Sequence, residues 1–222
     1  MERNYEFTGE TLDWYGVTLN RIRATKDFGN IKKGDLGGWI QKYENLCSNA
    51  WVFENAKVLE NARVSGNARV SENAIVSGNA WVLEDASVFG NVRVFGCALL
   101  FENTKVSGGA LVSGNAQLFG NSCVTGNSEV YGDAEVFGDA EVYGEAEVVA
   151  KTTRTPLHLS GLKYAVTITD EHVKIGFDCH TFKEWYEFSD KKIFSMDKKN
   201  DLEFWKKNKD LILSLITHTE RN

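Results

Sequence analysis

Residues Val64 to Val82 read VSGNARVSENAIVSGNAWV, and an aliphatic side chain returns there every sixth position, at Val64, Val70, Val76 and Val82. Extended in both directions, the same step runs from Leu46, Val52 and Val58 to Val136, Val142 and Val148 without a slip, with Leu100 and Leu118 standing in for valine. Four positions after each aliphatic residue comes a small one, alanine in most repeats and Val92, Thr104, Ser122 or Ser128 in the others. Between them lies a turn pair such as Gly66-Asn67, Glu72-Asn73 or Gly132-Asp133. Gly, Asn and Asp are the residues that tolerate left-handed backbone.

The unit therefore reads small-inward, variable-outward, aliphatic-inward, variable-outward, turn, turn, which is a short strand with alternating faces and a corner. A period of six fits neither an α-helix nor a coiled coil over so many repeats. Three units close a triangular coil of eighteen residues, and at about 4.8 Å per coil nearly six coils make a prism on the order of 28 Å long. The fold class is mainly β. A parallel β-helix of about six coils spans 46–149, with a small N-terminal β cap at 1–45 and a C-terminal α+β module at 150–222.

This pattern resembles the hexapeptide family of left-handed parallel β-helices, which includes acyltransferases and the γ-class carbonic anhydrases. The resemblance implies left-handed coils and a homotrimer of prisms, with a homodimer the next choice. The segment RIRATKDFGNIKKGDLGGWIQKYENL, Arg21 to Leu46, is similar to phage and prophage hexapeptide-repeat proteins, largely of unassigned role. The CHTFKEWYEF segment, Cys179 to Phe188, shares that likeness more loosely.

Enzymes of the hexapeptide family use a coil-borne histidine as general base, or three histidines to hold a metal. Here His158, His172, His180 and His218 all follow the last repeat. The unbroken register leaves no long loop to shape a cofactor cleft, and GDLGGW, Gly34 to Trp39, has the wrong spacing for a phosphate loop. It reads as a tight turn that lets Trp39 cover the first coil. Glu129, Asp133, Glu135, Asp139, Glu141, Glu145 and Glu147 crowd the last coils and read as a solvated rim. Cys179 and His180 are neighbours on a strand and point apart, so neither catalytic residues, nor a metal, nor a cofactor is expected. An acyltransferase-like enzyme with a non-histidine base and a purely structural spacer are the alternatives.

The net charge of −6 and pI near 5.3 argue against broad affinity for nucleic acid or anionic membrane. No stretch has the apolar length of a membrane span, and MERNYEFTGE lacks the apolar core of a signal peptide. The expected location is cytoplasmic, in the cytosol of a bacterial host. Cys47, Cys97, Cys123 and Cys179 form no CxxC pair and read as reduced thiols.

Sorted by eighteen, the outward positions form columns. Leu83, Phe101, Phe119 and Phe137 make an apolar ladder, expected to be the oligomer interface, with Trp51, Arg69, Ser87, Lys105, Cys123 and Glu141 as the neighbouring column. Arg63, Arg69 and Arg93 near Trp51 and Trp81 are the candidate ligand residues, suited to an anionic, aromatic ligand such as a nucleotide. The flanks read as caps for the open ends. Strands are expected near Tyr5 to Phe7 and Val17 to Ala24, and a hairpin at Tyr164 to Thr169 and His172 to Phe177. Helices open at the capping boxes Thr181-x-x-Glu184 and Asn200-x-x-Glu203. The functional expectation is a non-catalytic oligomeric binding protein of phage or prophage type that antagonises host defence by sequestering a nucleotide-like signal or a host protein.

Overall fold

The computed structural model describes residues 3–159, 161–197 and 199–219, except the side chains of 197, 199–201 and 219. The repeats form a parallel β-solenoid of about six turns. Among the described residues, seventeen two-residue strands run from Trp51–Val52 to Glu147–Val148, each but the last three pairing in parallel with the strand eighteen residues later, as Arg69 does with Ser87. Every third strand stacks into one of three sheets. The inward valines and leucines, with the small residues between them, are buried in one continuous core. The polar exceptions are satisfied inside it: Thr104 Oγ1 and Ser122 Oγ lie 3.2 Å apart, and Ser128 Oγ donates to the Thr125 carbonyl at 2.8 Å.

The first residue of each turn pair takes the left-handed conformation, and it is often glutamate: Glu54, Glu60, Glu72, Glu84 and Glu102 have φ of 53–60°. That conformation costs roughly 1 kcal/mol without glycine. A compensation is visible, because the carboxylates of Glu54, Glu84 and Glu102 accept the backbone N–H of Glu72, Glu102 and Gly120, one coil on, at 3.1, 3.0 and 2.6 Å. The second turn residue builds ladders of its own, such as Asn73 Nδ2 to Asn91 Oδ1 at 3.2 Å and Asn67 Nδ2 to Asp85 Oδ1 at 3.0 Å. Many corners are thus tied to the next by side chains as well as backbone.

Strands β1 (Tyr5–Trp14) and β2 (Val17–Ala24) form an antiparallel hairpin, and β2 pairs with β3 (Leu36–Ile40). β3 in turn runs parallel to the solenoid strand Lys57–Val58, with Trp39 opposite Lys57 and Ile40 opposite Val58. The stack therefore starts six residues before Leu46, and Trp39 occupies an outward repeat position with the Arg21 guanidinium 5.6 Å from its ring. Gly34 makes the turn, while Gly37 and Gly38 are close-packing residues in a strand. A Cβ on Gly38 would lie 2.7 Å from the Ala56 carbonyl oxygen. Tyr5 closes the base, its hydroxyl donating to the carbonyls of Tyr43 and Leu46 at 3.1 and 3.0 Å, and burial pushes its phenol pKa far up so that it remains a donor.

At the other end each sheet meets a threonine. Thr152 pairs with Val136, its carbonyl accepting the Phe137 N–H at 3.2 Å; Thr155 Oγ1 accepts the Glu141 N–H at 3.3 Å and Thr167 Oγ1 the Glu147 N–H at 3.4 Å. These bonds occupy backbone groups that a further coil would have paired.

The expected hairpin is the middle of a four-stranded antiparallel sheet, Leu157–Leu159, Val166–Ile168, His172–Ile175 and Asp178–Thr181. Helices α1 (Phe182–Glu187), α2 (Asp190–Asp197) and α3 (Lys199–Thr219) pack a second core around Trp185, Trp205, Ile193 and Ile212. Thr181 and Glu184 form the reciprocal capping box of α1. α3 begins at Lys199, ahead of Asn200, whose side chain lies outside the described residues. No described helix is long and apolar enough to cross a membrane. Lys174, 7% exposed, joins module to solenoid: its Nζ donates to Glu147 Oε2 and the Gly176 carbonyl, and Tyr131 donates to Glu147 at 3.1 Å. Burial is the largest single influence and works against its charge, but the hydrogen bonds and charges of Glu147 and Tyr131 together outweigh it and hold the ammonium above its ordinary range.

Two outcomes follow from these contacts. Gly114 and Gly144 both have positive φ, but a Cβ on Gly114 would meet the Gly132 nitrogen at 2.7 Å, whereas nothing lies within 4 Å of one on Gly144. Gly144→Ala should cost about 1 kcal/mol and Gly114→Ala about 3 kcal/mol or more in urea unfolding; equal costs would contradict the stacking. Glu147→Gln should destabilise by about 1–2 kcal/mol, reduced from a fully buried pair because the carboxylate is partly exposed. A raised lysine pKa contributes fully below the ordinary value of 10.5 and is lost as pH rises through the folded one. The variant and native melting curves should therefore converge only in strong alkali.

Candidate functional site

Within each flat strand the outward residues on either side of the inward aliphatic share a face, so three faces follow. The first carries Lys57, Ile75, Arg93, Leu111, Glu129 and Glu147, the second Trp51, Arg69, Ser87, Lys105, Cys123 and Glu141, and the third Arg63, Trp81, Leu99, Gln117 and Glu135. This corrects the pairing of columns read from sequence. The ladder Leu83, Phe101, Phe119 and Phe137 lies on the third face beside Trp81 and Leu99, and the Trp51–Arg69 column is across a corner. The ladder rings stack on one another, Phe101 on Phe119 at 5.1 Å and 12° and Phe119 on Phe137 at 4.7 Å and 3°. Each is consequently half-buried.

The candidate ligand residues do not converge within one chain. Arg63 sits with Trp81 on the third face, its guanidinium 5.7 Å from the indole. Arg69 pairs in register with Trp51 on the second. Arg93 is alone on the first, 5.9 Å from the Phe95 ring. Trp51 is also no open platform: it is 2% exposed, with Phe28 of the N-terminal cap packed edge-on at 5.6 Å.

The second face does hold a site, around Arg69. Its outer column runs Phe53, Ser71, Phe89, Ser107, and its other column Trp51, Arg69, Ser87, Lys105. A hollow of about 500 Å³ is lined by Phe53, Arg69, Ser71, Ser87, Phe89 and Lys105, with Glu54 at its corner. A second hollow, of about 300 Å³, continues from it past Phe53, Arg69 and Ser87 toward Phe28 and Asn30. In the Phe101–Phe119–Phe137 ladder adjacent coils place rings 4.7–5.1 Å apart. Phe53 and Phe89 are two coils apart with Ser71 between them, so the rung that would carry the middle ring of such a stack carries none, and the hollow lies there. Arg69 stands beside Ser71 on that rung, Lys105 lines the same hollow one coil beyond Phe89, and among the described residues neither pairs with a carboxylate. The nearby acids are engaged: Glu54 accepts the Glu72 N–H and Asp85 accepts Asn67 Nδ2. The arrangement can hold a flat aromatic group by stacking and a negative charge by ion pairing.

Sequence reasoning identified Arg69 and passed over Lys105, Phe53, Phe89, Ser71 and Ser87. The signal was present in the alternation of Phe and Ser at eighteen-residue steps. The carboxylates of the last coils are spread over three faces and the corners, and Glu147 is bound to Lys174. All four histidines lie in the C-terminal module: His158 Nδ1 is 3.3 Å from Thr167 Oγ1, His172 Nδ1 is buried without a hydrogen-bond partner, His180 is set edge-on against Trp185 and Phe188, and His218 is in the last turn of α3. Cys179 and His180 pair opposite Lys174 and Val173, on opposite faces of the sheet. No group of three His, Cys, Asp or Glu among the described residues is placed to hold a metal.

No curated protein matches the chain. The YdcK β-solenoid repeat family model matches residues 62–78 and again residues 68–84. The second match is displaced by one six-residue repeat from the first, so the lattice seen in space is the one the family model detects in sequence: the chain carries a β-solenoid repeat.

Proposed function

We propose that this is a non-catalytic, self-associating binding protein of phage or prophage type, acting in the bacterial cytosol, whose solenoid surface sequesters a nucleotide-like signal and so antagonises host defence. The observation that carries the reading is the hollow lined by Phe53 and Phe89, with no ring on the Ser71 rung between them and with Arg69 and Lys105 in its walls. A nucleobase has the thickness of the missing ring, and a phosphate supplies the charge that the two cations lack. The origin and cellular role rest on the likeness of the Arg21 to Leu46 segment to phage and prophage hexapeptide proteins. Self-association rests on the third face, where Trp81, 44% exposed, Leu99 and the ladder form an apolar surface of the kind that closed symmetry covers. With that face covered, the hollow on the second face stays open. The preferred assembly is a homotrimer, with a homodimer next.

Purified protein titrated with adenosine and guanosine mono- and cyclic nucleotides should bind at least one of them. Arg69→Ala or Lys105→Ala should weaken it by roughly tenfold or more, the range of a lost charge-assisted hydrogen bond. Ser71→Phe supplies the missing ring from the chain itself and should abolish binding with melting unchanged; full binding by that variant would contradict the hollow as the site. Phe119→Asp should convert the assembly to monomer in sedimentation velocity, and an unaltered mass would remove the third face as the interface.

A further inference from the structure

Outside the solenoid, the C-terminal module encloses a cavity of about 400 Å³. This lies within the roughly 300–1,000 Å³ of small-molecule sites. Its walls include five aromatic rings, Tyr164, Phe177, Trp185, Phe204 and Trp205, and, among the described residues, one carboxylate, that of Asp178. The rings hold one another in place: Trp185 and Trp205 have centroids 5.0 Å apart, Tyr164 meets Phe204 edge-on at 5.0 Å, and Trp185 Nε1 donates to the Val173 carbonyl at 2.8 Å. Phe177 is fully exposed at the tip of the hairpin, next to Asp178. Among the described residues no cation pairs with the Asp178 carboxylate.

We propose that this cavity is a binding site for an organic cation with an apolar body, such as a quaternary or alkyl ammonium compound. The faces of aromatic rings carry negative electrostatic potential, and an assembly of them binds ammonium groups that cannot otherwise be desolvated cheaply. Lys163 lies over Tyr164 at 5.0 Å and Lys209 over Trp205 at 5.7 Å, but neither lysine is part of the cavity wall, so a guest would meet the ring surfaces that face the cavity. A neutral apolar guest would take water from the Asp178 carboxylate without giving it a counter-charge, and an anion would be repelled by it. A cation satisfies the rings and the carboxylate together. Phe177 then has a purpose at the mouth, since a bound guest would cover a ring that otherwise faces water on all sides.

The test compares choline with its neutral isostere 3,3-dimethylbutan-1-ol on the full-length protein, followed by the indole N–H resonances of Trp185 and Trp205. Choline should bind at least about fivefold more tightly than the alcohol, the order expected of a cation over partly desolvated rings. Asp178→Asn should remove most of that preference. Phe177→Ala, which deletes an exposed side chain, should weaken choline severalfold without moving the melting temperature. Equal binding of the two compounds would reduce the cavity to an apolar recess, and binding of neither would remove the site; both overturn the proposal. A preference for choline that survives Asp178→Asn and Phe177→Ala unchanged would also overturn it, because the recognition would then lie elsewhere.

Discussion

Everything in the solenoid depends on one constraint, the pairing of each residue with the residue eighteen positions on. Parallel in-register stacking buries valine on valine and small residue on small residue, and a slip of one residue would turn each inward side chain to the surface. That register is what makes columns exist at all. Because rung spacing is set by backbone hydrogen bonds at about 4.8 Å, a phenylalanine on every rung produces a self-filled stack, as on the third face. Phenylalanine on alternate rungs produces a vacancy, as on the second. The same lattice therefore yields a column of stacked rings on one face and a hollow beside a ringless rung on another.

The corners show how a repeat can be kept in register without identical residues. Glycine takes the left-handed turn freely, but where the next corner lies directly above it has no room for a side chain. Glutamate takes the same turn at a cost and returns a charge-assisted hydrogen bond to the next coil. Asparagine and aspartate beside it link coil to coil. The two ends need different solutions, because an open coil presents unpaired backbone. A tyrosine hydroxyl and a hairpin close the base, while three threonines, one on each sheet, close the top before the C-terminal module begins. The buried Lys174 and its partner Glu147 then fix the module against the last coil.

The architecture was legible because it is periodic: Val64, Val70 and Val76 alone imply the strand, the corner and the stack. The start of the stack was less so, since Gly38 and Trp39 occupy repeat positions with residues that look like turn and lid, and only pairing with Lys57 and Val58 reveals them as a rung. The grouping of columns into faces turned on which side of the corner a residue falls, a matter of backbone conformation at Glu84 and its equivalents. The burial of Trp51 was hidden because it depends on Phe28, which reaches it through a loop with no repeat. The Phe53–Ser71–Phe89 alternation was readable in principle, but significance comes to it from the measured spacing of the neighbouring Phe stack. The aromatic cavity had no sequence signature, since its walls come from a hairpin and three helices whose packing no local pattern encodes.

The account stands on the claim that this solenoid is an assembly that retains a small anionic aromatic molecule. Native mass spectrometry of the protein released gently from bacterial cytosol tests it most directly, because one spectrum gives both subunit number and retained mass. The account predicts a closed oligomer, three subunits first, each carrying additional mass in the range of a nucleotide. A bare monomer would contradict it on both counts.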